Sequence, residues 1–157
     1  VITFTEDVTF HLNGDELHAF HVEAAHTDGD AIVHFRGANV VHMGDTYVRY
    51  GFPFIDTATG GSIDGMIAAV DATLGVTDVD TKVIPGHGAL ATRTELVAYR
   101  DALRTMRRLV AELVLEGHPM DHILEFRPFQ AQAEAWGQDR ATEDAFVETV
   151  YLGITAP

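Results

Sequence analysis

The sequence predicts an α/β domain, a mixed β-sheet with helices on one face. Three observations lead there. Short apolar and alternating runs of strand type fill the first half. A helical period of three and four sets in near Thr92. The elements follow in the order strands, helix, strand, helices, with no linker that would divide the chain.

Taken in order, "VTFHLNGDELHAFHVE" (8–23) reads as a β-hairpin, because Asn-Gly between two alternating runs is a strong short-range turn signal. "AIVHF" (31–35) and "NVVHM" (39–43) read as a second hairpin around "RGA". "SIDGMIAAVDATLG" (62–75) reads as a helix, with Ser62 as N-cap, Asp64 in the first turn and Gly75 as the stop. "TKVIPGHG" (81–88) is a short buried strand running into a Pro-Gly turn. From Thr92 to Glu116, Leu96, Tyr99, Leu103, Met106, Val110 and Leu113 mark one face of a long helix that "GHP" (117–119) ends. Two weaker helical segments follow, near 120–136 and 142–152. The chain is thus expected to be one unit over 1–157, a strand and loop region to about 91 and a helical region from about 92.

With 157 residues and 46% hydrophobic content the chain can build a core. No apolar run approaches the roughly 20 residues of a membrane-spanning helix, so no membrane partner is expected. The first residue is Val1 and no signal peptide opens the chain, so a processing site, a cloning boundary or a truncation each fit, and the compartment, cytoplasmic or periplasmic, stays open. The formal net charge of −14 makes nucleic acid a poor partner, because such binding rests on Lys and Arg neutralising phosphates. Five basic residues (Arg93, Arg100, Arg104, Arg107 and Arg108) fall on the long helix and are expected to form a solvated face with acidic partners. Cysteine is absent, so disulfides and thiolate ligands are excluded and any metal must be held by His, Asp or Glu.

The nine histidines sort by neighbourhood. His11, His18, His21 and His34 lie in strand alternation and read as structural. His42, just before "MGD", lies beside a candidate site. His118 and His122 are four apart, but Pro119 and the absence of an intervening Glu make the pair structural. Three positions differ in kind. His26 in "AAHTDGD", Asp45 in "HMGDT" and His87 in "VIPGHG" each follow a strand, and each has a glycine close by in its loop that allows a crowded approach. Sheet ends are where α/β proteins place ligands.

In these three motifs and their spacing, from about residue 8 to the long helix, the sequence resembles the second half of a metallo-β-lactamase-superfamily hydrolase. The resemblance implies half of an αββα sandwich and a site for two zinc ions. His26 and His87 would be terminal ligands, one to each zinc, and Asp45 the bridge between them. A carboxylate at that bridging position tilts the likeness toward general hydrolases rather than resistance enzymes. The implied reaction is zinc-dependent hydrolysis, with metal-bound hydroxide attacking an ester, lactone, thioester or β-lactam amide carbonyl of a small-molecule substrate. The family's His-x-His-x-Asp-His motif, which supplies further ligands to both metals, is not in this chain: no two histidines are two apart. The expectation is therefore a partial metal site, in a truncated domain completed by a missing N-terminal half or by a second copy of the chain as an oligomer. The alternative is a non-catalytic half-domain acting as an oligomerisation or interaction module.

The loop 47–61 holds Tyr47, Tyr50, Phe52 and Phe54 and reads either as a substrate loop or as a loop packed by its own aromatics. Asp28 and Asp30 read as turn formers before partners of His26, and Arg127 and Trp136 as packing or surface residues.

Overall fold

The computed structural model describes residues 3–155, so the unit read over 1–157 extends at each end past the described residues. Six strands, β1 (Asp7–Leu12), β2 (Asp15–His21), β3 (Ala31–Phe35), β4 (Val40–His42), β5 (Lys82–Ile84) and β6 (Ala91–Thr92), form one sheet in chain order. All neighbours are antiparallel except β4 and β5, which run parallel. That parallel pair needs a crossover, and α1 (Ile63–Gly75) supplies it. The long helix α2 (Arg93–Leu115) follows β6 directly, and α3 (Met120–Phe126), α4 (Gln130–Ala135) and α5 (Arg140–Thr155) complete the chain.

Local chemistry explains these elements. Asn13 and Gly14 both take positive φ, 52° and 81°, as a two-residue hairpin of matching twist requires. The Ser62 hydroxyl accepts the Gly65 N–H at 2.9 Å and caps α1. The helix stops at Gly75, its last helical residue, and Val76, at φ −110°, leads the chain away. Thr92 and Glu95 form a reciprocal capping box at the start of α2. The segment expected as one helix over 120–136 is two. Pro128 disfavours helical backbone at Arg127, which takes φ 50° between α3 and α4.

Register places Phe20, Ile32, Val41, Val83 and Ala91 on one face of the sheet. Ile32, Val41 and Val83 are fully buried there with Met66 and Val70 of α1 and Leu96, Leu103, Met106 and Val110 of α2. Each such side chain contributes about 2 kcal/mol through its removal from water. The basic residues of α2 answer acidic ones, in part on α1: Arg107 with Asp64, Arg104 with Asp71, and Arg100 with Asp71 and Asp101. The opposite face of the sheet carries Val8, Phe10, Leu17, Ala19, Val33, Phe35, Val40 and Ile84, of which the small Ala19 alone is buried. No helix covers that face among the described residues. Nor is any helix there long and apolar enough to cross a membrane.

Candidate functional site

Strands β2, β4 and β5 point the same way, since β2 and β4 each run antiparallel to β3 and β5 runs parallel to β4. The loops that follow them therefore open at one end of the sheet. Those loops carry His26, Asp45 and His87.

His26 is placed through its backbone. The Ser62 N–H donates to the carbonyls of Ala24 and Ala25 at 2.8 and 2.9 Å, and the His26 carbonyl accepts the Asp56 N–H at 2.9 Å. A Cβ at Gly65 would lie 1.8 Å from the Ala24 carbonyl oxygen, which explains a glycine inside α1. The His26 Nδ1 lies 2.8 Å from the Phe54 carbonyl. A carbonyl only accepts, so Nδ1 carries the proton and Nε2 of the neutral ring presents a lone pair to the cleft.

Asp45 sits in a single 3-10 turn, Gly44–Thr46, after β4. Gly44 takes φ 54°, and the buried Thr46 hydroxyl donates to the Met43 carbonyl at 2.7 Å. The Gly44 N–H donates to His42 Nδ1 at 3.1 Å, so His42 braces this turn. Gly86 approaches from β5: a Cβ there would lie 2.3 Å from Asp45 Oδ1 and 2.6 Å from the Gly44 backbone. His87 is held by a parallel bridge to Val48 and by the Arg49 N–H, which donates to its carbonyl at 3.0 Å. The Arg49 guanidinium donates to the carbonyls of Ala89 and Leu90 at 3.1 and 2.7 Å and pairs with Glu95. Hydrogen bonds from Thr92, then the charge of Arg49, hold the Glu95 carboxyl below its ordinary 4.5.

The three side chains meet. Asp45 Oδ1 is 3.2 Å from His87 Nε2, and Asp45 Oδ2 is 3.8 Å from His26 Nε2. They line a cleft of about 170 Å³ with Val48, Tyr50 and Phe54. The His26 side chain is 20% exposed, Asp45 40% and His87 60%, so the site opens outward on the His87 side. Each carboxylate oxygen faces one imidazole nitrogen. Two ions placed here would each receive one His and one Asp oxygen, short of the three protein ligands usual for a catalytic zinc. Among the described residues no three His, Asp or Glu side chains form a group that holds a metal ion. The donors present are thus a partial set and do not by themselves fit a resident zinc.

The aromatic loop divides. Tyr50 and Phe54 line the cleft, with Tyr50 edge-on to His87 at 5.6 Å and Phe54 edge-on to His26 at 5.8 Å. Tyr47 and Phe52 are buried instead, Tyr47 against Tyr99 and Phe52 among Phe129, Trp136 and Phe146. Asp30 accepts the Thr27 N–H at 2.8 Å, and the Asp28 carbonyl lies 2.8 Å from His21 Nε2, so both shape the turn after His26. His118 and His122 lie on the far helical part, 6.5 Å apart, with His118 edge-on to Phe126. The close approach at Gly86 is the one expected of the glycines that flank His87, whereas nothing in the sequence pointed to Arg49. Arg49 reaches partners some forty residues away, for which no local signal exists, whereas the Thr92-x-x-Glu95 capping pattern was there to find.

No protein-family model and no curated protein matches the chain. Solved structures do. The stereoselective inverting sec-alkylsulfatase Pisa1 from Pseudomonas sp. is similar over 97% of this chain, at 14% identity and TM-score 0.69. A double mutant of the sec-alkyl sulfatase PisA1 is similar over 98%, at 17% identity and TM-score 0.72. A metallo-β-lactamase from Pontibacter korlensis is similar over 65% of this chain, at 18% identity and TM-score 0.55. The chain spans 26% of the length of each sulfatase and 47% of that β-lactamase. The fold is therefore that of part of a metallo-β-lactamase-type domain, with the helical region included in the likeness to the sulfatases.

Proposed function

We propose that the chain supplies the C-terminal part of a zinc-dependent hydrolase site, with His26 and His87 as terminal ligands to two zinc ions and Asp45 as the bridge. The observation that carries this reading is the arrangement of both imidazole Nε2 atoms around one exposed carboxylate at the end of three co-directed strands. The fold likeness supports a metallo-hydrolase type of site, and the remaining ligands would come from another segment or a second copy.

Zinc would supply Lewis acidity and an activated water in such a site. The chain's own residues do the rest. The Phe54 carbonyl fixes the His26 tautomer so that Nε2 is free to coordinate. Gly86 leaves room for the Asp45 carboxylate. Tyr50 and Phe54 flank the cleft and narrow the approach of a small-molecule ester, lactone, thioester or β-lactam. The test is a hydrolysis panel of those four classes with the natural full-length gene product, with zinc and after chelation. Zinc-dependent turnover of one class, lost in Asp45→Asn, is the expected result. Equal turnover after chelation, or in Asp45→Asn, would overturn the proposal.

The uncovered apolar sheet face favours a second reading, a non-catalytic half-domain acting as an oligomerisation or interaction module. A paired particle without metal, seen by native mass spectrometry and metal analysis, is the outcome that reading requires.

A further inference from the structure

A second and larger cavity, of about 500 Å³, adjoins the cleft. It lies between the segment 47–51, α2 and the end of α4. It shares Val48 and Tyr50 with the His26–Asp45–His87 cleft, so Tyr50 stands as the partition between the two spaces. A volume of about 300–1,000 Å³ is the range of small-molecule sites, whereas the cleft alone is too small for a whole substrate.

The lining has a definite character. Tyr47, Tyr50, Tyr99 and Trp136 supply aromatic surface, and Ala98 and Ala102, one turn apart on α2, leave space between them. The charges present, Arg49 and Glu95, are paired with each other, so the cavity offers no free charge to a ligand. The Tyr99 hydroxyl is buried with no hydrogen-bond partner, and burial pushes its phenol well above the ordinary value of 10.0, so the wall it forms stays neutral.

We propose that this cavity binds an uncharged aromatic ring, the non-reacting part of a substrate whose hydrolysable bond lies in the adjoining cleft. Aromatic walls favour a flat ring over an alkyl chain of equal size through edge and face contacts. Binding there would hold the reacting bond near Asp45 and His87, with Tyr50 setting the distance. The assignment of a reacting bond rests on the hydrolase reading; the ring site itself does not need zinc, and it is tested without zinc.

The chain has one tryptophan, Trp136, and it lines this cavity. Its fluorescence therefore reports occupancy directly. The probes are benzyl alcohol and n-heptanol, titrated into the metal-free chain and into the variants Ala98→Phe and Ala102→Leu. Position 98 is exposed, so Phe there fills the opening without disturbing the core, and circular dichroism verifies the fold of both variants. The expected result is a saturable change with benzyl alcohol, about fivefold tighter than with n-heptanol. It should be at least about tenfold weaker in Ala98→Phe, as expected for a blocked site. No saturable change, a response in both variants as tight as in the unmutated chain, or n-heptanol binding as tightly as benzyl alcohol would each overturn the ring site and leave the zinc reading untouched. Binding as expected in a full-length protein that shows no zinc-dependent hydrolysis would overturn the zinc reading alone.

Discussion

The Arg49 N–H donates to the His87 carbonyl at 3.0 Å, and the side chain of the same arginine holds the two carbonyls that follow Gly88. One residue thus fixes the loop of a proposed ligand from both backbone and side chain, and ties it through Glu95 to the first turn of α2. Gly88 makes this approach possible: it takes φ 106°, and a Cβ there would lie 2.7 Å from the Arg49 Cβ.

Arg49→Ala should therefore loosen His87 without removing it. The expected effect is about a tenfold loss of zinc affinity in the full-length protein, the lower end of what losing a ligand's support costs. Arg49→Lys should recover only part of it, because an ammonium cannot span two carbonyls and a carboxylate as the planar fork does. Competition with a zinc-binding dye measures both. Equal affinity in wild type and Arg49→Ala would show that the loop needs no clamp.

Gly86→Ala tests the crowding beneath Asp45. The added methyl meets the carboxylate and the Gly44 backbone, and the turn carrying Asp45 must shift. A stability loss of about 1–3 kcal/mol by denaturant titration is expected, typical of overpacking. An unchanged midpoint would mean that the turn yields freely.

The helical region has its own anchor. Glu143 is fully buried and pairs with Arg127 at 2.6 Å, the residue whose left-handed backbone separates α3 from α4. Arg127→Ala leaves a buried carboxylate without its partner and should cost about 3 kcal/mol, seen as a lowered denaturation midpoint. Glu143→Gln, which removes the charge while keeping a polar group there, should cost less. The reverse order would show that the pair is not what holds this region.

Acid should weaken the sheet through His34. Burial, then the neighbouring Arg36 and His18, hold its imidazole below the ordinary value of 6.5. The folded state therefore favours the neutral ring. The stability this gives is complete above pH 6.5 and is lost as pH falls through the lower folded-state value. His34→Gln should flatten that acid limb in a series of urea titrations, and a limb of unchanged slope would assign it to other groups.

Much of this was legible in the sequence because it is local. Asn13-Gly14, the Ser62 cap and the six-residue apolar stripe of α2 announce their elements within a few residues, and the stripe is buried but for the partly exposed Leu113. The three loops of the site were visible as His, Asp and His beside glycines after strands. Their meeting depends on strand direction across four strands, which only the sheet order settles. Tertiary packing was not legible. Phe52 and Tyr47 sit in the same aromatic run as Tyr50 and Phe54, yet they turn into the core because α2, α4 and α5 lie against them. Trp136, read as a packing or surface residue, lines a cavity, since only the docking of α4 brings it beside α2.

The measurement that bears most directly on the proposed site is zinc bound per chain in the full-length protein and in His26→Ala, Asp45→Asn and His87→Ala. The account predicts that each substitution lowers zinc affinity by at least about tenfold, with Asp45→Asn affecting both ions and each histidine change chiefly one. Full zinc retention in all three would contradict it.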